Sequence, residues 1–274
     1  MTATASAGRI TVSVSDGVAS VLIDNPGRKN ATTKVMCQEL QKLMPELDDD
    51  PNVVVVTLRG AGDTFSAGAS LDALTSVLLD RQDDGSVVDH LSLADAAISH
   101  TRKPTIALVD GACMGGGWQL ASACDFVLAS DRSLFAITPA KIGVIYPRAG
   151  IERLVRLVGP ANAKFILFSG DTFTAVRAQQ LGLITESVAN GGFESRANDL
   201  VRTVLARSQF SIHILKNLID VGDAAVPETD QLWHDAWSAM TSSPDMAIGV
   251  NAFLARAEPK FTWRSSDERR GERW

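Results

Sequence analysis

The chain has 274 residues, 45% hydrophobic and 21% charged, with 26 Lys plus Arg against 32 Asp plus Glu and a net charge of −6. That balance argues against a general nucleic-acid binder, which needs a basic face, and no apolar run reaches the ~18 residues that span a bilayer. Three unpatterned cysteines (Cys37, Cys113, Cys124) form neither a disulfide framework nor a zinc site. The start of the chain lacks the apolar core of a secretory signal, so the chain reads as a cytoplasmic protein with no membrane, metal or nucleic-acid partner.

Residues 1–8 and 264–274 carry no apolar periodicity and are expected to be flexible tails. Two β-rich runs, 10–14 and 18–23, flank Ser15-Asp16-Gly17 and predict a hairpin. Asn25-Pro26-Gly27 then breaks the chain. Thr32 or Thr33 caps a helix carrying Val35, Met36, Leu40, Leu43, Met44 and Leu47 at helical spacing. Pro45 predicts an irregular or kinked last turn.

The continuous β-branched run 53–58 predicts a strand covered on both faces. A glycine-rich stretch, 60–70, follows it. Residues 80–86 predict an exposed loop, and 87–99 is amphipathic. Residues 105–109 predict a second buried strand, which leads into a second glycine loop, 111–117, and a helix from Trp118 to Cys124. Residues 126–129 predict a third strand. His100 suits a helix-end charge role. From Glu152 onward the period is mostly helical, over 161–168, 174–181, 194–206, 211–220, 230–240 and 245–257. The coarse reading is an α/β core followed by helices.

Several motifs fail. Gly115-Gly116-Gly117-Trp118-Gln119-Leu120 lacks the third glycine of the dinucleotide fingerprint, and neither a phosphate loop nor a HExxH pair is present. Ser66 sits in Thr64-Phe65-Ser66-Ala67-Gly68, without the first glycine of a nucleophile elbow. A serine hydrolase acting through Ser66 with His90, His100 or His213 stands as a remote alternative.

The informative feature is an arrangement that occurs twice. Two buried strands each run into a loop of small residues, Ser66-Ala67-Gly68-Ala69 and Gly115-Gly116-Gly117. Small residues let backbone approach a ligand closely, and the second loop opens a helix whose first N–H groups are unpaired. Brought together, the loops would aim one N–H each at a single oxygen. Such an oxyanion hole contributes about 3 kcal/mol per donor to a transition state. Taken singly, each loop is equally well a tight turn with close helix–strand packing.

The motifs along residues 10–262 resemble the crotonase (enoyl-CoA hydratase/isomerase) superfamily. Arg28-Lys29-Asn30-Ala31 looks like its KRNA segment, and Phe65-Ser66-Ala67-Gly68-Ala69 like its FSAGAD. Residues 103–111 resemble KPvIAaVnG, and Gly115-Gly116-Gly117 with Cys124-Asp125 resembles GGG…CD. Gly143, Arg153-Leu154, 168–171, 178–183 and Pro259-Lys260-Phe261 match further pieces.

The resemblance implies an α/β fold: a crotonase-like spiral of ββα units over 9–205, with a C-terminal helical trimerisation region over 206–263. It implies an acyl-CoA substrate, no permanently bound cofactor, and a homotrimer or dimer of trimers. By position, Ala69 and Gly116 supply the oxyanion-hole N–H groups. Coenzyme A contacts are implied for Arg28, Lys29, Ala31, Ala67, Gly68 and Leu71. Phe253 and Lys260 are implied as further contacts, from a neighbouring subunit.

The chain departs from a hydratase at both acid–base positions. The resemblance puts Gln119 and Pro139 where the family carries its two glutamates, so both carboxylates are missing. Ser70 replaces the aspartate after FSAGA, with a local loop-support role. Residues 135–147 resemble a methylmalonyl-CoA decarboxylase-like branch. Within them, Thr138 suits acyl binding, and Tyr146 suits carboxylate orientation, proton delivery or simple packing. Glu152, close to Arg148, would replace the lost base if its helix pointed inward, but its helical neighbours Arg153 and Arg156 favour a surface salt bridge. The resemblance thus favours decarboxylase- or isomerase-type chemistry over efficient hydration. A non-catalytic acyl-CoA binder is the alternative.

Overall fold

A computed structural model describes residues 8–189, 191–221 and 228–264. Most of both expected tails lies outside the described residues. Strands β1 (Arg9–Ser15) and β2 (Val18–Asp24) form the expected antiparallel hairpin. Its two turn residues, Asp16 and Gly17, both take positive φ, as tight hairpins require.

Helix α1 (Lys34–Asp49) is capped by Thr33, whose hydroxyl accepts the Met36 N–H. The helix runs through Pro45 to Asp49 rather than ending irregularly. Burial of Met36, Cys37, Leu40, Met44 and Leu47 on one face holds the last turn despite the lost backbone donor.

Strand β3 (Val55–Gly60) leads to α2 (Leu74–Leu78), β4 (Asp80–Arg81), β5 (Val87–Val88) and α3 (His90–Ser99). The segment expected as an open loop is therefore a small antiparallel ribbon, with Asp80 opposite Val88 and Arg81 opposite Val87. His100 sits at the C-cap of α3. Next come β6 (Thr105–Val109), β7 (Ala112–Met114), α4 (Gly116–Ser122), β8 (Phe126–Ser130) and β9 (Leu134–Ala136).

Helix α5 (Arg148–Ser169) bends at Gly159, whose backbone is non-helical, just before Pro160. The chain continues through β10 (Thr172–Thr174), α6 (Ala175–Leu181), β11 (Glu186–Val188) and α7 (Phe193–Leu205). It closes with α8 (Gln209–Val221), α9 (Glu228–Ser242) and α10 (Pro244–Ala255).

The main sheet has the order β1-β2-β3-β6-β8-β11, parallel throughout except for β1. Every residue of β6 is buried, as its apolar run requires. A second sheet, β10-β9-β7, lies on another face. In β6-β7-α4 and again in β8-β9-α5, the first strand joins the large sheet, the second joins the small one, and a helix follows. An isolated parallel bridge from Ser66 to Cys113 gives the chain after β3 the same layout. This is the spiral of ββα units.

The C-terminal helices hold a separate apolar cluster of Phe210, Ile214, Leu218, Ala236 and Ala239. The segment after α10 is tied back onto it through Trp263. Asp245, 2% exposed, accepts the Thr262 and Trp263 N–H groups and the Ser208 hydroxyl. Among the described residues, no helix is long and apolar enough to cross a membrane.

Candidate active site

The Ser66–Cys113 bridge brings the two glycine loops together. Ser66 N–H donates to the Ala112 carbonyl at 3.0 Å, and Met114 N–H donates to the Ser66 carbonyl at 2.9 Å. Beyond the bridge the loops touch. A β-carbon added to Gly68 would lie 2.7 Å from the Met114 carbonyl oxygen and 3.1 Å from the Gly116 nitrogen. One added to Gly116 would lie 3.1 Å from the Ala69 nitrogen. The φ of +93° at Gly68 demands glycine for a second reason. The Ala69 and Gly116 amides are therefore neighbours, and neither N–H has a hydrogen-bond acceptor among the described residues.

Asn30 braces the first loop. Its side chain donates to the Ala61 carbonyl at 2.8 Å and the Thr64 carbonyl at 2.6 Å, and it accepts the Asn25 N–H. Ser66, fully buried, donates its hydroxyl to the Asn30 carbonyl at 2.8 Å and accepts the Gly68 N–H at 3.1 Å. That hydroxyl closes the loop. His90 instead faces Asp80 at 2.9 Å, and the His213 ring lies 5.7 Å from Trp263. Among the described residues, no histidine is hydrogen-bonded to the Ser66 hydroxyl, whose partners are both backbone. Burial also pushes the Cys37 and Cys124 thiols up to about 12 and raises Cys113, so these are packing groups.

The two amides open on a cavity of about 90 Å³. Leu71, Leu74, Leu78, Leu91, Met114, Thr138, Pro139, Ile142, Val144, Ile145, Tyr146 and Pro147 line it. Ala67, Gly68, Ala69, Gly115 and Gly116 complete the lining. None of these side chains is a carboxylate, imidazole, amine or thiol. A larger cavity of about 720 Å³ lies between α3, α5 and α8, away from both loops.

Pro139 lines the cavity as a buried residue, with Thr138 beside it. Gln119 is fully buried on α4, one turn beyond Gly116, and neither its Oε1 nor its Nε2 has a partner. An unpaired buried amide costs free energy, so it is suited to a bound polar group or water. The sequence leaves carboxylate orientation, proton delivery or packing open for Tyr146, and in the structure its hydroxyl donates to the Gly115 carbonyl at 2.9 Å. Burial pushes that phenol well above its usual range, so it holds its proton there.

Arg28 and Lys29 are exposed, next to buried Ala31. Arg28 pairs with Asp72, whose carboxyl is pulled down to about 2 by hydrogen bonds from Arg28 and then Ser70. Ser70 donates to Asp72 at 2.6 Å, which is a loop-support role. Ala67 donates its N–H to the Lys29 carbonyl at 2.9 Å, which joins the two segments. Leu71 is 70% exposed at the cavity edge.

Phe253 and Lys260 are not brought to this cavity. Phe253 is 83% exposed on α10, and Lys260 lines a separate cavity with Val54, Leu205 and Arg207. Glu152 makes the expected surface bridge to Arg148 at 2.6 Å. Arg153 does not share it. Its guanidinium turns inward and grips Asp95 through both carboxylate oxygens, at 2.6 and 2.9 Å.

The sequence points to region 72–100 as shaping the acyl pocket without naming its residues, and Leu74, Leu78 and Leu91 of that region line the cavity. Leu71, Leu74 and Leu78 are spaced three and four apart, a helical signal that was there to read. Ile142, Val144 and Ile145 carry no period.

A family profile described as enoyl-CoA hydratase/isomerase matches residues 13–264. A crystal structure described as an enoyl-CoA hydratase/isomerase family member is 59% identical. It superposes with a TM-score of 0.93 over 96% of this chain and 99% of its own. A crotonyl-CoA hydratase of Syntrophomonas wolfei is 27% identical over 247 residues, covering 89% of this chain and 94% of its own length. A peroxisomal Delta(3,5)-Delta(2,4)-dienoyl-CoA isomerase of Arabidopsis thaliana is 28% identical over 256 residues, covering 88% and 91%. With fold, motifs and full-length similarity in agreement, the chain belongs to the crotonase (enoyl-CoA hydratase/isomerase) superfamily.

Proposed function

We propose that the protein stabilises an acyl-CoA thioester enolate between the Ala69 and Gly116 N–H groups, and that it works as a decarboxylase or isomerase in preference to a hydratase. The observation that carries this reading is the cavity itself, with two adjacent unpaired donors and no ionisable group except a protonated phenol. Preorganised donors of this kind are worth about 3 kcal/mol each. Hydration also needs a group that takes a proton from water, an effect of about 10²–10⁴-fold. By resemblance, Gln119 and Pro139 stand where the two hydratase glutamates would. An amide binds water but cannot take its proton, and proline offers neither a side-chain group nor an N–H.

Decarboxylation asks for less. In a malonyl-type thioester the bond from the α-carbon to the carboxylate breaks and CO₂ leaves. The electron pair passes into the enolate, whose oxygen faces the two N–H groups. A proton from water then adds to the α-carbon. A double-bond shift passes through a dienolate held by the same two N–H groups, but it first needs a base to take the α-proton, so of the two reactions the cavity suits decarboxylation better. The likeness to a decarboxylase branch rests on residues 135–147 alone. Arg28 and Lys29, with Ala31, Ala67, Gly68 and Leu71, would cradle coenzyme A. Phe253 and Lys260 would reach it from a neighbour in a homotrimer or dimer of trimers, which a solution mass of three or six chains would check.

The test is an assay of the purified protein against crotonyl-CoA, a 3-enoyl-CoA, methylmalonyl-CoA and malonyl-CoA. CO₂ release or double-bond migration should outrun hydration. Hydration of crotonyl-CoA at hydratase-like rates overturns the reading of Gln119 and Pro139. Tight binding with no turnover would identify a non-catalytic acyl-CoA binder.

A further inference from the structure

The two unpaired N–H groups belong to two peptide units, Gly68–Ala69 and Gly115–Gly116. In a trans peptide the N–H and C=O point in opposite directions. Whatever holds the carbonyl of each unit therefore aims its N–H. The Gly68 carbonyl accepts the Thr32 N–H at 2.8 Å and, more weakly, the Thr32 hydroxyl at 3.4 Å. The Gly115 carbonyl accepts the Gln119 N–H at 3.1 Å within the first turn of α4 and, from outside that turn, the Tyr146 hydroxyl at 2.9 Å. The first unit is held by Thr32 alone, through its N–H and a long hydroxyl bond, whereas the second has a short bond from a phenol on a distant segment.

The second unit needs that hold. Gly115 has φ +48° and ψ −112°, a conformation open only to glycine, and glycine on either side of the peptide leaves its plane free to turn. Tyr146 is well placed to fix it. The side chain is 7% exposed. A β-carbon on Gly150, in the first turn of α5, would lie 2.5 Å from the ring, so α5 leaves room for this ring and little else. A donor on the carbonyl side also polarises the amide and makes its N–H a stronger donor.

We propose that Tyr146 is a positioning residue: its hydroxyl, bonded to the Gly115 carbonyl, orients and polarises the Gly116 N–H that faces the thioester oxygen. This inference rests on the oxyanion-hole reading of Ala69 and Gly116. It assigns Tyr146 no contact with the reacting atoms. The family's two-glutamate chemistry has no part in it.

The experiment reads the carbonyl directly. Infrared spectra of [1-¹³C]acetyl-CoA bound to the wild-type protein should show the thioester stretch lowered relative to free acetyl-CoA. In Tyr146→Phe about half of that lowering or more should vanish, while acetyl-CoA affinity changes by less than about threefold. Tyr146 is the only tyrosine in the chain, so biosynthetic 3-fluorotyrosine alters this hydroxyl alone. The more acidic phenol is a stronger donor and should lower the stretch further.

The outcomes separate the two readings. No lowering in the wild type would sink the oxyanion-hole reading and this inference with it. Full lowering retained in a folded Tyr146→Phe would overturn the positioning role and leave the oxyanion hole standing. Turnover lost with the lowering intact would make Tyr146 a proton donor instead, and would also overturn it. If the phenylalanine variant does not fold, the fluorotyrosine protein decides, and an unchanged stretch there is the overturning result.

Discussion

At the scale of single residues, the site is built by small groups doing structural tasks with functional consequences. Ser66 shows this best. Its hydroxyl links the Asn30 carbonyl to the Gly68 N–H, both buried, and so shapes the loop that ends at Ala69. Ser66→Ala leaves that donor and that acceptor unpaired and should cost about 1–3 kcal/mol of stability, read by denaturant unfolding. Any loss of activity should follow the loss of stability. A variant of unchanged stability that had lost thioester hydrolysis would restore Ser66 as a nucleophile. The glycines were legible in the sequence because a run such as Gly115-Gly116-Gly117 is rare without a close contact to explain it. The partner of Tyr146 was not legible, because its acceptor lies 31 positions away.

At the scale of elements, α5 is the clamp. Arg153 on α5 and Asp95 on α3 form a bidentate pair whose side chains are 13% and 2% exposed. Leu91, on the same helix as Asp95, lines the cavity. Asp95→Ala would strand a buried guanidinium and should destabilise by about 3–5 kcal/mol, measured by chemical denaturation. Arg148→Ala should leave the melting temperature unchanged, because its partner Glu152 is exposed with it. Helical spacing marked α1 and α6 to α10 in the sequence, and the β-branched runs marked β3, β6 and β8. Strands β7, β9, β10 and β11 have three residues each, too few to show a period of two. β11 adds to the edge of β8, whereas β7, β9 and β10 pair with one another.

At the scale of the whole molecule, acid sensitivity follows from where the carboxylates sit. Asp72, Asp80, Asp110 and Glu194 are all held below the usual carboxylate range, each chiefly by a basic side chain: Arg28, Lys34, Arg132 and Arg59. A lowered folded-state pKa contributes stability that is complete above the unfolded value, near 4. That stability is lost as the pH falls through the folded value. Asp220, raised by burial, works in the opposite sense, losing its contribution as pH rises through its folded value. Asp84 is lowered as well, chiefly by the Ser86 hydroxyl, so with five groups against one the melting temperature should fall as pH drops below about 4, and should still be falling near pH 2, the value to which Asp72 is pulled. A thermal melt series across pH checks this, and a melting temperature level from pH 5 to 2 would contradict it.

The sequence by itself determined the α/β class, the superfamily, the two loops of small residues and the absence of glutamate at positions 119 and 139. Those are matters of local composition and spacing, which survive in one dimension. Tertiary structure alone decided that the Ala69 and Gly116 amides are adjacent, that Ser66 is a brace, that Arg153 turns inward and that Tyr146 holds the Gly115 carbonyl. Each of these depends on a contact between segments dozens of residues apart, and the spiral of the chain, not the order of its residues, sets those distances.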